Sequence, residues 1–335
     1  MTGETVQSQA SVETAADALD PQIRRFVDEL AQAWSHYPPA DALTIPELRR
    51  IAEEVRAPWR SGGPAMASTR EHLVPTEQGD VRVRVYRPMA DAVPQPALVY
   101  LHGGGWTMFS LNTHDRIMRE LAARAGIVVV GIDYALSPEA KFPFALRQIE
   151  GVLRWLAVNG SDWRIDVTRL AIGGDSAGAN LSVATALLLR DSGAAGLLSG
   201  MLLHYGCFSS ESSPQALAGF GAPGNLLTGD EMAAFWHNYL SAPSEARNPL
   251  AAPMRARLDG LPPAFLISAQ CDVLAEQSVE FAARLRGAGV AAMHTEYPGA
   301  THSFLEAMSI ADVSRRALAD GAAWLRDRLA VRAPA

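Results

Sequence analysis

Lysine is almost absent from this chain. Among its 335 residues the only one is Lys141, so nearly all of the 29 basic side chains are arginines. That leaves almost no room for a Schiff base, a phosphate-loop lysine or a Ser-Lys nucleophile pair, each of which needs a lysine inside its own motif. Cysteine is as scarce: Cys207 and Cys271 are the only two, too few for a disulfide framework, and both are expected as free thiols in a reducing compartment. A basic surplus is missing too. The 29 basic residues face 36 acidic ones for a net charge of −7, so nucleic acid is not an expected partner. No apolar run reaches the length of a membrane span, and Met1 to Ala10 hold neither a basic residue nor an apolar stretch. A cytoplasmic protein with no membrane association is therefore expected. Neither H-E-x-x-H nor paired-cysteine spacing occurs, so no metal site and no cofactor are expected.

What is present is an ordinary globular composition, 48% hydrophobic and 19% charged, with a length near two domains that one α/β unit with insertions can also absorb. The first dozen residues are small and polar and read as unstructured. Ile23, Phe26, Val27, Leu30 and Trp34 then recur at helical spacing. A second helix opens at Thr44, with Glu47 completing a capping box and Leu48, Ile51 and Val55 on one face. Beyond residue 64 the texture changes. Val81, Val83 and Val85 alternate with polar residues as in a half-exposed strand. Short apolar runs follow at Ala97 to Leu101, Ile127 to Ile132, Leu170 to Ile172, Met201 to His204, Ala264 to Ser268 and, more weakly, Met293 to Tyr297, with helical stretches between them. This alternation predicts an α/β fold with a mostly parallel sheet covered on both faces. Between His204 and Pro249 it breaks, and a helix capped by Thr228 and Glu231 carries Met232, Phe235, Trp236, Tyr239 and Leu240 on one side.

Gly174-Asp175-Ser176-Ala177-Gly178 follows an apolar run and precedes a helix-favouring stretch. A serine on a sharp strand-to-helix turn needs small neighbours, because the backbone passes close by. This makes Ser176 the candidate nucleophile, the alternative being that it merely caps the helix. His102-Gly103-Gly104-Gly105-Trp106 ends an earlier strand, and three glycines leave backbone N–H groups free to turn toward a developing oxyanion. A serine hydroxyl needs a base, and the base an acid. Of eight histidines, the order serine, acid, histidine leaves His204, His237, His294 and His302. His302 is favoured, in a small-residue loop after the last strand. Asp272, at the end of the preceding strand, is the candidate acid, with Glu276 in reserve.

These motifs resemble the hormone-sensitive-lipase-like branch of the α/β-hydrolases, the bacterial HGGG-motif (family IV) carboxylesterases. The resemblance runs from Ser61 to Leu329 and includes Asp133 to Glu139 with Phe142-Pro143. It implies a central, mostly parallel eight-stranded sheet flanked by helices, with a helical cap. Residues 1–60 would form the N-terminal part of the cap, 206–245 the cap insertion, and 61–205 with 246–335 the catalytic domain. It also implies a serine esterase acting on small carboxylic esters of short to medium chain, with Ser176, Asp272 and His302 as triad and the N–H groups of Gly103, Gly104 and Ala177 as oxyanion donors. A lactonase or amidase using the same triad, or a binding protein on the same scaffold, are the alternatives. Trp106, Tyr205, Phe208, Trp236 and Tyr239 are candidate substrate contacts, and the family is often dimeric. The chain departs from the family in having Ser303 where glycine follows the histidine, Val273 where proline follows the acid, and Ala135 where arginine is common.

Overall fold

Residues alternating along the central strands divide two cores between the faces of one sheet. Val99 and Leu101 of β3 (Gln95–Leu101) belong to one core, and Leu98 and Tyr100 of the same strand to the other. Both sides of the strand are buried, which is why it reads as an unbroken apolar run. The computed structural model describes residues 18–90 and 93–330; the expectation of an unstructured first dozen lies outside them.

Eight strands form one sheet: β1 (Ser68–Thr76), β2 (Gly79–Arg87), β3, β4 (Val128–Ile132), β5 (Ile165–Asp175), β6 (Leu198–His204), β7 (Ala264–Cys271) and β8 (Ala292–Thr301), in the order β1-β2-β4-β3-β5-β6-β7-β8. The β1–β2 and β2–β4 pairs are antiparallel and the remainder parallel. β1 had no clear signature in the sequence, since Val74 is its one fully buried side chain and Arg70, Glu71 and His72 interrupt any apolar alternation. α4 (Phe144–Asn159), α5 (Ala177–Asp191) and α8 (Ala275–Gly287) pack on one face. α3 (Asp115–Ala125) and α9 (Asp312–Arg328) cover the other, with α1 (Pro21–Trp34) and α2 (Ile45–Arg56). The insertion after β6 contains α6 (Pro214–Phe220) and α7 (Gly229–Tyr239).

The expected capping boxes form at Thr44–Glu47 and Thr228–Glu231. Ile23, Phe26 and Leu30 of α1 are buried, and the Phe26 ring meets Trp59 edge-on at 4.6 Å. The two N-terminal helices are tied to the ends of the parallel strands. Asp20 N–H donates to Gly299 O (3.0 Å), and Arg49 of α2 donates to Thr107 O and Ser137 O, each at 2.7 Å. Lys141 donates to His237 O and Leu240 O, at 3.1 and 2.8 Å, a cation at the carbonyl end of α7. Among the described residues no helix is long and apolar enough to cross a membrane.

Candidate active site

Strand register brings the candidate residues together. Leu101 pairs with Gly174, and Cys271 with Thr301, so the residues just beyond these ends emerge side by side at the carboxyl edge of the sheet. Ser176 sits between β5 and α5 at φ 53°, ψ −118°, a left-handed conformation that costs a side chain strain. The flanking glycines are sterically required: a Cβ on either Gly174 or Gly178 would drive into the Leu101 carbonyl oxygen. Ser176 makes no capping hydrogen bond to its helix. Its Oγ lies 3.0 Å from His302 Nε2, and His302 Nδ1 lies 2.8 Å from Asp272 Oδ2. Asp272 Oδ1 accepts the Leu274 N–H at 2.9 Å, which ties the carboxylate to its own loop. All three side chains are buried, Ser176 retaining 7% exposure.

The other histidines after Ser176 are elsewhere. His294 Nε2 meets Ser268 Oγ within the sheet (2.8 Å), His237 is exposed on α7, and His204 is fully buried beneath Tyr100 and Tyr205. Glu276 is exposed in the first turn of α8. Ser303, where the family has glycine, keeps the backbone glycine favours, with φ 59°. The structure offers no reason for Ala135.

The glycine loop needs one correction. Gly103 N–H donates to Asp175 Oδ1 at 3.1 Å and is not free for an oxyanion. The N–H groups of Gly104, Gly105 and Ala177 have no acceptor among the described residues. The sequence motif assigns no role to Asp175, although it adjoins the serine. It also accepts from Tyr100 Oη (2.8 Å) and His114 Nε2 (3.2 Å). Burial by itself would raise its pKa, but the His114 cation and these hydrogen bonds pull it down to about 2. His114 moves the opposite way: burial lowers it, and the Asp175 carboxylate more than offsets this and raises it. The signal available in the sequence was a charged residue inside a turn whose neighbours must be buried, which requires a buried partner.

Of the candidate substrate contacts, Tyr205 approaches His302 with ring centroids 5.0 Å apart. Trp106 stacks on Tyr239 of α7 at 4.2 Å and leans on Trp236 at 4.7 Å. Phe208, as fully buried as Trp106, Tyr205 and Tyr239, stacks on Phe281 of α8 at 4.2 Å. Phe235, named in the sequence as a helix-face residue only, lies over Gly105, where an added Cβ would strike its ring.

The α/β hydrolase fold family matches residues 98–306. The acetyl esterase of Salmonella choleraesuis (strain SC-B67) is 35% identical over 264 residues, 78% of this chain and 81% of that protein. Among solved structures, a hyperthermophilic esterase from the archaeon Pyrobaculum calidifontis superposes with a TM-score of 0.86 at 32% identity, covering 92% of this chain and 98% of that one. A thermophilic carboxylesterase cloned from a metagenomic library gives 0.83 at 35% identity, covering 87% and 99%. A match over more than half the chain, with relatives of this identity along most of both lengths, places it: the chain belongs to the α/β-hydrolase family, in its hormone-sensitive-lipase-like branch of carboxylesterases.

Proposed function

We propose that the chain hydrolyses short- to medium-chain carboxylic esters through an acyl-enzyme, with Ser176, His302 and Asp272 as its catalytic triad. The observation that carries this reading is the unbroken line from Ser176 Oγ through both nitrogens of His302 to Asp272 Oδ2, at 3.0 and 2.8 Å. Ser176 Oγ attacks the acyl carbon while His302 Nε2 takes its proton. Asp272 holds the imidazole orientation and stabilises its cation. The tetrahedral oxyanion is met by N–H groups of Gly104, Gly105 and Ala177; Gly103, whose N–H is occupied, supports the loop instead. His302 then gives the proton to the leaving alcohol, and water repeats the sequence against the acyl-enzyme with His302 as base. The helical segments α1–α2 and α6–α7 act as a cap, with Phe235 against Gly105 and Tyr239 against Trp106 narrowing the entrance. The named acetyl esterase relative supports a short acyl group.

Replacement of Ser176 by alanine, with p-nitrophenyl butyrate as substrate, tests the reading: turnover is expected to vanish while circular dichroism stays unchanged. Undiminished turnover overturns it. The same panel with lactones and anilides separates the esterase from the lactonase and amidase alternatives.

A further inference from the structure

Behind the glycine loop lies a buried ion pair that the proposed reaction does not use. Asp175 ends β5, His114 precedes α3, and each is only 2% exposed. Thr113 Oγ1 lies 2.9 Å from both Ser110 O and His114 Nδ1. His114 Nε2 faces Asp175 Oδ2, which can only accept, so Nε2 carries a proton and donates it to the carboxylate. Burial lowers the pKa of His114 and the carboxylate more than offsets this, which favours its charged form.

The other oxygen of Asp175 meets the loop. Oδ1 accepts the Gly103 N–H and the Tyr100 hydroxyl, and the Gly103 Cα passes so close that a Cβ would collide with Oδ2. Of three consecutive glycines, then, the first has its N–H held by a carboxylate from the residue before Ser176, and the next two have no acceptor among the described residues. A flexible triplet has no reason to keep that arrangement by itself, because glycine samples the most backbone conformations of any residue.

We propose that the His114–Asp175 pair is a positioning element for the oxyanion hole, clamping Gly103 so that the Gly104 and Gly105 N–H groups stay preorganised beside Ser176. Asp175 is thus a positioning residue acting through the backbone, and His114 is the donor to its other oxygen that helps it stay ionised in a buried place. The inference rests on the serine-esterase reading above.

The test compares Asp175→Ala with Asp175→Asn. Alanine removes the acceptor for Gly103, whereas asparagine keeps an oxygen for both Gly103 and Tyr100 and turns its amide to a neutral His114. In Asp175→Ala, kcat is expected to fall about 30- to 100-fold with KM within about three-fold, the signature of a group that acts on the transition state. Asp175→Asn is expected to recover to within about ten-fold of wild type, since the amide preserves the contact. Wild-type kcat in Asp175→Ala, or equal loss in both variants, overturns the proposal. Should the alanine variant not fold, glycine-labelled wild-type enzyme decides the matter by amide NMR with a trifluoromethyl ketone bound to the serine. The Gly104 and Gly105 amides are expected to shift and Gly103 to stay in place; a Gly103 shift as large as theirs overturns the clamp. An active Ser176→Ala protein would remove the esterase reading and this inference together, whereas an inactive one beside a fully active Asp175→Ala removes only the clamp.

Discussion

Arg56 Nη1 lies 3.2 Å from Glu306 Oε2 with both residues buried, so the second helix of the chain is joined ionically to the turn that follows His302. The Arg56 guanidinium also lies over the Phe109 ring, 5.1 Å from its centroid, and Phe109 in turn neighbours His114. The N-terminal helices are thereby part of the frame that holds the loops carrying Phe109 and His302.

Breaking that pair by Glu306→Ala should destabilise the fold by about 3–5 kcal/mol, because it strands a buried guanidinium. The double change Arg56→Met with Glu306→Leu should regain most of this. Urea unfolding checks both; a single variant that unfolds at the wild-type midpoint would show that the pair contributes nothing.

Stability should decline on acidification in two stages. His102 and His204 are held as neutral imidazoles. Burial pushes each down to about 4, and the His114 cation adds to the shift at His102. A folded value below the ordinary 6.5 means that the unfolded chain binds the extra proton. Their contribution is thus complete above pH ~6.5 and is lost as pH falls toward 4. Asp175, at about 2, contributes above the ordinary carboxylate value and loses this as pH falls toward 2. His114 has the opposite sign: its pKa is raised, so its contribution is present below pH ~6.5 and disappears as pH rises through its folded value. Urea midpoints measured from pH 7 to pH 4 should fall, and less steeply in His204→Met; a flat profile in the wild type contradicts the assignment.

Gly178→Ala should be far more damaging than an ordinary helix substitution. The added methyl collides with the Leu101 carbonyl, which is strand backbone and cannot move aside. A loss of about 3 kcal/mol or more is expected, with activity falling below a hundredth as the serine turn and the glycine loop separate. Thermal melts and ester turnover report the two effects, and a near-native melt would mean the contact is looser than described.

Ser303→Gly should stabilise the protein by about 0.5–1 kcal/mol, since φ 59° strains a side chain but not glycine, with part of the gain offset by chain entropy. Ser303→Val should destabilise by more than that. Denaturant midpoints compare the three proteins, and a lower midpoint for the glycine variant would show that serine makes a compensating contact.

Phe235→Ala should shift chain-length preference. Removing the ring that lies over Gly105 opens space beside the glycine loop, so kcat/KM for p-nitrophenyl octanoate relative to acetate should rise about ten-fold. An unchanged ratio would place the chain-length limit elsewhere.

Much of this was legible in the chain itself. Apolar runs located six of the eight strands, chiefly because buried parallel strands are apolar on both faces, and the valine alternation located β2; only β1, a charged edge with a single buried valine, carried no such mark. Gly174 and Gly178 announced the serine turn because no other residue fits against the Leu101 carbonyl. Chain order and strand ends selected Asp272 and His302 from many acids and eight histidines. An aromatic beside a strand end, such as Phe208, can face the site or the core, and only the fold shows its stacking on Phe281.

What the sequence by itself determined was therefore the local and periodic part: the strands, the capped helices, the serine turn and the identity of the two groups, His302 and Asp272, that line up beside it. What the tertiary structure alone decided was which N–H groups remain unpaired and which charges meet underground. Gly103 and Asp175 are held together by neighbouring strand ends, and His114 arrives from another loop, at separations no local pattern encodes. A buried carboxylate must find its partner wherever the fold brings one, and that choice is made in space.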